Sequence, residues 1–462
     1  MSLSPAPPPE AAPRLQAYRP LPGFFDGLFA SDGRPRAACA DLAAFLDQTG
    51  LGGLQALQRD ADLSLLNQGI TFTVYADQRG TEKIFPFDVI PRVVTAERWA
   101  RLEAGLRQRI HALNLFLEDL YGEQHVLREN VVPTELVLAS PNFCRAMMGV
   151  KVPKGVYVHI SGTDLIENED GDFLVLEDNV RVPSGVSYVL ENRIVMSRVL
   201  PDLLARHRVR PVDQYPRMLL DALRALSPAF DPVVVVLTPG IYNSAYYEHS
   251  YLAAQMGVQL VEGRDLVVDE DKLYMKTTSG LQQVDVVYRR VDDDFLDPLA
   301  FRADSVLGVP GLMNAFRAGN VALANAPGTG VVDDKAMYAY MPEVIRFYLS
   351  EEPILGQVPT YLGRRSKDLA YMTSHLDELV VKPTDGSGGY GLLVGSAATQ
   401  EQLDEMRRTL SVAGDRFVAQ PIQRLSTLPT LVGAPAQEIA PRHVDLRPFS
   451  ISQGPGEVEI LP

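Results

Sequence analysis

The segment from residue 232 to residue 298 most constrains what this chain can fold into. It begins with PVVVVLTPG, a continuous apolar run that ends in Pro-Gly, and continues with the helical pattern SAYYEHSYLAAQMG. Strand-like runs return in VQLVEGRDL and in VDVVYRRVDDDFLDP, which has an acidic end. Apolar runs of about four to eight residues that alternate with helical segments are typical of βαβ units. The sequence therefore predicts a parallel sheet within a unit of about 130 residues, in a chain of the α/β or α+β class.

The rest of the chain divides around this unit. Three-four spacing of apolar residues predicts helices before it, and the Pro/Ala-rich start lacks such spacing. A strand-loop-strand pattern and a further helix follow it, and PRHVDLRPFSI near the end predicts one more strand. We expect these parts: a disordered tail at 1–16, a mainly helical region at 17–138, a part with short β runs that contains an acid-bearing hairpin at 139–195, the βαβ unit at 196–325, and a final α+β part at 326–462.

The predicted hairpin carries acidic side chains. GVYVHISGTDLIENEDGDFLVLEDNV indicates two strands joined by a turn at residues 168–171. Glu177 and Asn179 share one side of the second strand, because strand side chains repeat every second residue. The apolar run before Glu177 indicates that this acid emerges from a buried strand, where a charge is costly without a compensating partner. Together with Asp164, these oxygens suit a hard cation such as Mg²⁺; a solvated edge strand is the competing interpretation.

A glycine-rich loop lies about two hundred residues later, in VVKPTDGSGGYG. Lys382 ends an apolar strand pattern and precedes Gly386, Ser387, Gly388 and Gly389. Such a loop can bring several backbone N–H groups close to phosphate oxygens while the lysine supplies a positive charge. The order differs from the Walker pattern, in which the lysine follows the glycines. A flexible turn without a ligand is the competing interpretation.

Composition narrows the classes of partner. The chain has 462 residues and a net charge of −15, without a block of Lys and Arg that would follow a nucleic acid or an anionic membrane surface. Cys39 and Cys144 are the two cysteines, too few for a disulfide framework, which favours a cytoplasmic protein. No apolar run reaches the roughly 18 residues of a membrane span. We therefore expect small-molecule substrates.

The order of several motifs carries a family resemblance. Lys335 in VVDDKAMY, Lys382 with its loop, the hinge-like FVAQPIQ, and Asp445 and Arg447 in HVDLRPF follow one another as in the ATP-grasp fold. The closing part of that fold is found much earlier in the chain, in the hairpin with LEDNVRVPSGVSYVLENR. The sequence resembles the circularly permuted type 2 ATP-grasp family, often described as glutathionylspermidine synthase-like, from about residue 60 onwards.

The resemblance implies a circularly permuted ATP-grasp fold with a pre-ATP-grasp-like βαβ domain. It also implies a carboxylate–amine ligase that uses ATP and Mg²⁺, or Mn²⁺, to form an acyl phosphate and then an amide bond, releasing ADP and phosphate. Its substrates would be small-molecule or peptide carboxylates and amines, and an oligomer is compatible with it. The implied roles are catalysis by Arg181 and Arg447, metal binding by Asp164, Glu177 and Asn179, and nucleotide binding by Lys335, Lys382, Gly386, Ser387, Gly388, Gly389, Gln420, Ile422 and Asp445.

The sequence departs from the family pattern at the hinge and at its carboxyl-terminal segment. Hinges in this family often carry an acid near the ribose, whereas this chain has Gln420 followed by Pro421. Family members also continue beyond the position of GEVEILP into a further strand and a polar tail with a lysine, so we expect an impaired site if that tail completes it.

Three charged residues are candidates for substrate binding. Glu248, Arg289 and Asp292 lie near the predicted carboxyl ends of parallel strands, where such sheets bind ligands. A salt-bridge network among neighbouring strands is equally compatible with these positions.

The same motifs are compatible with two functions besides ligation. One is an inert scaffold or sensor that binds ATP without ligating anything. The other is a phosphotransferase, which would share the first half-reaction with a ligase and release a stable phosphorylated product.

Overall fold

The computed structural model describes residues 18–73, 82–384, 391–433 and 438–462, with the side chains of residues 71–84 also left out. The predicted tail at 1–16 and the predicted loop residues Gly386, Ser387, Gly388 and Gly389 lie outside the described residues.

The amino-terminal part is mainly helical, as predicted. It contains α1 (Ala40–Asn67), β1 (Thr71–Thr73), β2 (Glu82–Ile84), α2 (Ala96–Tyr121), α3 (His125–Arg128) and α4 (Thr134–Leu138). Gly50 interrupts α1 at φ 63°, a conformation that glycine adopts at little cost. Thr95 caps α2 by accepting the N–H of Arg98. One apolar stripe of α2 is buried in the largest hydrophobic core, which also includes residues of four sheets.

The predicted hairpin of two strands follows and is confirmed. It comprises β3 (Ile160–Glu167) and β4 (Phe173–Asn179), and α5 (Val186–Val199) comes after it. The Asn168 side-chain oxygen accepts the N–H groups of Asp170 and Asp172, which closes the turn. The hairpin therefore forms from local sequence signals.

The βαβ prediction is also confirmed. This part contains α6 (Pro201–His207), α7 (Tyr215–Arg224), β5 (Val234–Leu237), α8 (Tyr246–Met256), β6 (Gln259–Val261), β7 (Leu266–Asp269), β8 (Lys272–Thr277), β9 (Gly280–Gln283), β10 (Val286–Arg289), α9 (Asp293–Leu296), α10 (Leu312–Arg317) and β11 (Ala322–Ala324). Strands β11, β10, β5 and β6 form one parallel sheet in that order. The single strand predicted over VQLVEGRDL is wrong: β6 ends at Val261, and residues from Leu266 belong to the separate antiparallel sheet β7-β8-β9.

The final part combines helices with three more groups of strands. Its elements are α11 (Gly330–Asp333), α12 (Lys335–Tyr338), α13 (Met341–Leu349), β12 (Gly356–Gln357), β13 (Tyr361–Leu362), α14 (Ser366–Ser374), β14 (Leu379–Pro383), β15 (Leu393–Val394), α15 (Gln400–Ala413), β16 (Phe417–Pro421), β17 (Thr427–Val432), β18 (Glu438–His443), β19 (Asp445–Leu446), β20 (Phe449–Gly454) and β21 (Glu457–Ile460). The single strand predicted over PRHVDLRPFSI is wrong, because the chain there is divided among β18, β19 and β20.

The central sheet joins the early hairpin to strands near residue 450. Its strand order is β12-β4-β3-β20-β21, and β19 also pairs with β3. Ser161 on β3 and Ser450 on β20, 289 positions apart, form a hydrogen bond between their hydroxyls. A second antiparallel sheet, β13-β16-β14-β15, carries Lys382. Across the described part of the chain, every helix is too short or too polar to cross a membrane.

Candidate functional site

The end of the hairpin gathers three oxygen-bearing side chains. Asp164 on β3 lies directly opposite Glu177 on β4, and the strand register shifts just after Asp164. The Asn179 amide nitrogen donates to Asp164 Oδ2 at 3.3 Å. Phe173 and Val175 on β4 are buried, so the strand passes from the core into this polar cluster at Glu177. The predicted spacing therefore brings Asp164, Glu177 and Asn179 together.

Glu177 lies in a field of mixed charges. Burial raises the pKa of its carboxyl group above the ordinary value, and the neighbouring Lys335 and Lys382 oppose this rise. Repulsion by Asp164 adds to it. The carboxylate is thus attracted by two lysines that come from a part of the sequence more than 150 residues away.

Lys382 reaches the same place from the second sheet. It lies on β14 beside β16, and its ammonium group donates to Gln420 Oε1 at 2.9 Å. The Gln420 amide nitrogen in turn donates to Thr360 Oγ1 at 3.1 Å. Burial lowers the pKa of Lys382, while attraction to Glu177 partly restores it. This buried ammonium is therefore placed where an additional anion would be favourable.

Lys335 begins α12, which Asp334 caps by accepting the N–H of Ala336 at 2.8 Å. The backbone N–H of Lys335 donates to the carbonyl of Thr384 at 3.1 Å, next to the glycine-rich segment. A small cavity of about 10 Å³ lies between these elements. It is lined by Leu176, Glu177, Asp178, Val332, Asp333, Lys335, Tyr338, Lys382, Val418 and Gln420.

Arg447 closes the other side of the hairpin end. Its guanidinium group pairs with both oxygens of Asp164, with Nη2 at 2.7 Å from Oδ2. Arg447 follows β19, which pairs with β3, so strand pairing positions it beside Asp164. Asp445 lies on β19 itself and is exposed, and its carbonyl accepts a hydrogen bond from Arg92.

Arg181 and Asp333 form a pair that connects the hairpin to α11. Arg181 Nε donates to Asp333 Oδ2 at 2.7 Å, and its Nη1 lies 3.4 Å from Asp292 Oδ2. The N–H of Val180 donates to the other Asp333 oxygen, also at 2.7 Å. Asp333 is thus joined through both oxygens to the residues that directly follow Asn179.

The hinge residues differ in what they offer to a ligand. Gln420 lines the cavity, as described above. The backbone N–H of Ile422 donates to the carbonyl of Glu378 at 3.0 Å. This donor is therefore already used within the protein, and any contact of Ile422 with an adenine ring would have to involve its side chain or its carbonyl.

Two of the three candidate substrate residues are engaged inside the protein. Glu248 is 1 % exposed and accepts hydrogen bonds from Gly185, Ser187 and Arg290. Arg289 is likewise 1 % exposed, donates to the carbonyls of Asn325, Val291 and Ala326, and pairs with Asp293 at 2.7 Å. Both residues therefore belong to salt-bridge networks rather than to an open substrate surface. Asp292 remains about one-third exposed beside Arg181.

Sequence reasoning missed Asp333 and Thr360. The adjacent acids in VVDDKAMY were a usable signal, because one of them caps a helix and the other can then act elsewhere. No sequence pattern distinguishes Thr360, whose partner Gln420 is 60 positions away.

The cluster suits a hard cation in its chemistry. In the described ranges no three or more His, Cys, Asp and Glu side chains gather into a metal-binding group. The candidate set instead combines two carboxylates with an amide, and carboxylate and amide oxygens are ligands that Mg²⁺ accepts while retaining water and phosphate oxygens. Asp164 can serve Arg447 and a cation together, since an ionised carboxylate has about four lone-pair sites.

Comparison with known families agrees with this geometry. The sequence model of the family described as circularly permuted ATP-grasp type 2 matches residues 91–462 of this chain. The chain belongs to this family. The early hairpin and the late lysine-bearing strand that meet at the cavity correspond to the permuted order of the family.

Relatives extend over nearly the whole chain. An uncharacterised protein of Synechocystis sp. is 51 % identical, and the match covers 96 % of this chain and 91 % of that protein. An uncharacterised protein of Mycobacterium tuberculosis is 49 % identical over 95 % of this chain and 78 % of its own length. A protein of Frankia casuarinae with the provisional name glutamate–cysteine ligase 2-2 is 39 % identical, but this chain spans only 51 % of its length.

A solved structure supports the fold. The apo form of a glutathione synthetase-like effector from Globodera pallida superposes with a TM-score of 0.59, covering 88 % of this chain and 91 % of that one. At 13 % identity, this likeness concerns the fold alone.

Proposed function

We propose that this protein is an ATP-dependent carboxylate–amine ligase that works through an acyl phosphate and releases ADP and phosphate. The observation that carries the proposal is the convergence of Glu177, Lys335 and Lys382 on one cavity, although the first lies far from the other two in sequence. Family membership and the ligase name of the Frankia relative, of which this chain matches about half, support the same reaction class.

Neutralising negative charge is the main requirement of such chemistry. A transferred phosphoryl group spreads negative charge over its oxygens, and catalysis is largely positioning and neutralisation. In this proposal Lys335 and Lys382 bind the triphosphate, and Gly386, Ser387, Gly388 and Gly389 contribute further nucleotide contacts. Gln420, which accepts a hydrogen bond from Lys382, would contact the nucleotide beside this lysine. Ile422 and Asp445 complete the proposed nucleotide contacts.

Arg181 and Arg447 act at the phosphoryl group. Both guanidinium groups lie at the end of the hairpin, beside Asp333 and Asp164 respectively. Asp164, Glu177 and Asn179 would hold Mg²⁺, or Mn²⁺, which when bound adds positive charge next to the phosphates. The carboxylate substrate attacks the terminal phosphorus of ATP, and the bond to the ADP oxygen breaks. The amine then attacks the acyl carbon, phosphate leaves, and the amine proton passes to solvent or to a nearby base.

Asp292 is the substrate contact that we retain. It is exposed at the carboxyl edge of the parallel sheet and lies beside Arg181, so its carboxylate can attract an amine. Glu248 and Arg289 are left out of the proposed substrate surface, because their polar atoms are already satisfied by buried protein partners.

The test is ADP release by the purified full chain with Mg-ATP and pooled carboxylates and amines, followed by mass spectrometry of the product. We expect ADP release that requires both a carboxylate and an amine, and a product with a new amide bond. A stable phosphate ester would identify a phosphotransferase instead. Tight Mg-ATP binding without any substrate-dependent ADP release would identify an ATP-binding scaffold or sensor.

A further inference from the structure

The short segment 333–335 connects the two halves of the proposed site. Asp333, at its start, accepts the N–H of Val180 and the Nε–H of Arg181, each at 2.7 Å, and so fastens the end of β4. Lys335, at its end, donates its backbone N–H to the carbonyl of Thr384, just beyond β14. Segment 333–335 thus contacts both the hairpin that carries the candidate metal ligands and the strand of Lys382.

The Asp333 carboxylate is well placed to orient Arg181. It is 15 % exposed and lines the cavity together with Glu177 and Lys335. Its two oxygens have different partners, so one fixes the backbone where β4 ends and the other fixes the plane of the guanidinium group. The second carboxylate near Arg181, Asp292, is farther at 3.4 Å and more exposed. Asp333 is therefore the main determinant of where Arg181 points.

We propose that Asp333 is a positioning residue of the phosphoryl-transfer site, which acts by holding Arg181 and the end of β4 in register with Lys335. This role rests on the proposed function. We expect Arg181 to stabilise the negative charge that develops on the phosphoryl group during transfer. A misplaced guanidinium group should therefore weaken binding of the transition state more than binding of ADP.

The test compares two complexes by calorimetry, Mg-ADP alone and Mg-ADP with aluminium fluoride, which mimics a phosphoryl group in transfer. Asp333→Asn keeps the size and one oxygen for Val180, but it removes the charge that faces Arg181. We expect it to weaken the aluminium fluoride complex by about 10- to 100-fold, as loss of an orienting partner commonly does, and to leave Mg-ADP affinity close to that of the wild type.

A double-mutant cycle with Arg181→Gln separates positioning from general destabilisation. If Asp333 acts through Arg181, the double variant should lose little beyond Arg181→Gln alone, since residues that act as a unit are strongly non-additive. Asp334→Asn is the matched control, because this neighbouring carboxylate caps α12 through Ala336. It should spare the aluminium fluoride complex relative to Asp333→Asn.

Three results would each overturn the role of Asp333. The first is a double variant whose loss of aluminium fluoride affinity equals the product of the two single losses. The others are an equal loss in Asp334→Asn and an equal weakening of both complexes by Asp333→Asn. A wild-type protein that binds neither complex would instead overturn the proposed function, and the assigned role with it. The two failures are thus distinguished by the wild-type measurement.

Discussion

Replacing Lys382 by Met tests the nucleotide site most directly. The change keeps most of the side-chain volume but removes the ammonium group that lines the cavity. One pair of unit charges about 4 Å apart in an effective dielectric of about 20 is worth about 4 kcal/mol. Burial already lowers the pKa of Lys382 in the ligand-free protein, so much of the desolvation cost precedes binding. We expect Mg-ATP affinity to fall about 100-fold, which is about 2.7 kcal/mol.

Stability of the ligand-free protein should change little in this variant. Removing a half-buried charge is favourable, whereas Glu177 loses one of its two attracting lysines and Gln420 Oε1 loses its donor, and an unsatisfied acceptor costs about 1–3 kcal/mol. The variant should therefore be recognised by the loss of stabilisation by ATP. At an ATP concentration of about 100 times the wild-type Kd, ligand binding stabilises by about 2.7 kcal/mol, and a 100-fold weaker variant retains about 0.4 kcal/mol.

The assay is a thermal unfolding scan with and without Mg-ATP, supported by calorimetry. Lys367→Met is the control, because Lys367 is an exposed lysine on α14 of the same part of the chain. It should keep the full ATP-induced shift in Tm. The reasoning is refuted if Lys382→Met retains wild-type ATP affinity, or if the exposed-site control loses as much.

Further predictions concern the metal, the core and acid stability. Glu177→Gln should weaken the Mg²⁺ dependence of nucleotide binding without destabilising the ligand-free protein at pH 7, because burial raises the pKa of this carboxyl group; a Mg²⁺ titration identical to the wild type would contradict this. Asp178→Asn breaks the buried pair with Arg109, whose Nη2 lies 2.7 Å from Asp178 Oδ2. It should lower the free energy of unfolding by about 3–5 kcal/mol in urea denaturation. A loss below about 1 kcal/mol would be inconsistent with a buried pair. Burial lowers the pKa of His159 to about 3, below its unfolded value of about 6.5, so its stabilising contribution is lost as pH falls between these values. His159→Phe should then shift acid unfolding to lower pH, and an unchanged acid midpoint would argue against this origin.

Local signals predicted the elements that form locally. Residues 234–237 are all buried as a central parallel strand, and the Asn168 turn closes the hairpin as its sequence indicates. The single strand predicted over PRHVDLRPFSI was wrong for a local reason as well. Pro448 lacks an N–H, and its carbonyl accepts from Thr163, so β19 and β20 pair with β3 as separate strands.

The site was partly predictable because its charged residues interrupt apolar strands. Glu177 after FLVL and Lys382 after LVV both emerge from buried β runs, which marks them as unusual. Asp333 was missed, since its partners Val180 and Arg181 lie more than 150 positions away and no short-range spacing relates them. Glu248 and Arg289 show a limit of the sequence: strand ends locate charged residues but do not tell whether other protein groups already satisfy them.

The sheet that joins the early hairpin to strands near residue 450 also sets an order of events during synthesis. Strand β3 pairs with β4 almost at once, but its other neighbour, β20, is encoded 289 positions after Ser161. At about 5–20 residues per second, translation leaves that edge of β3 unpaired for about 15–60 seconds. An unpaired strand edge is a template for aggregation. The permuted order therefore makes the nascent chain dependent on protection of this edge until its last strands leave the ribosome.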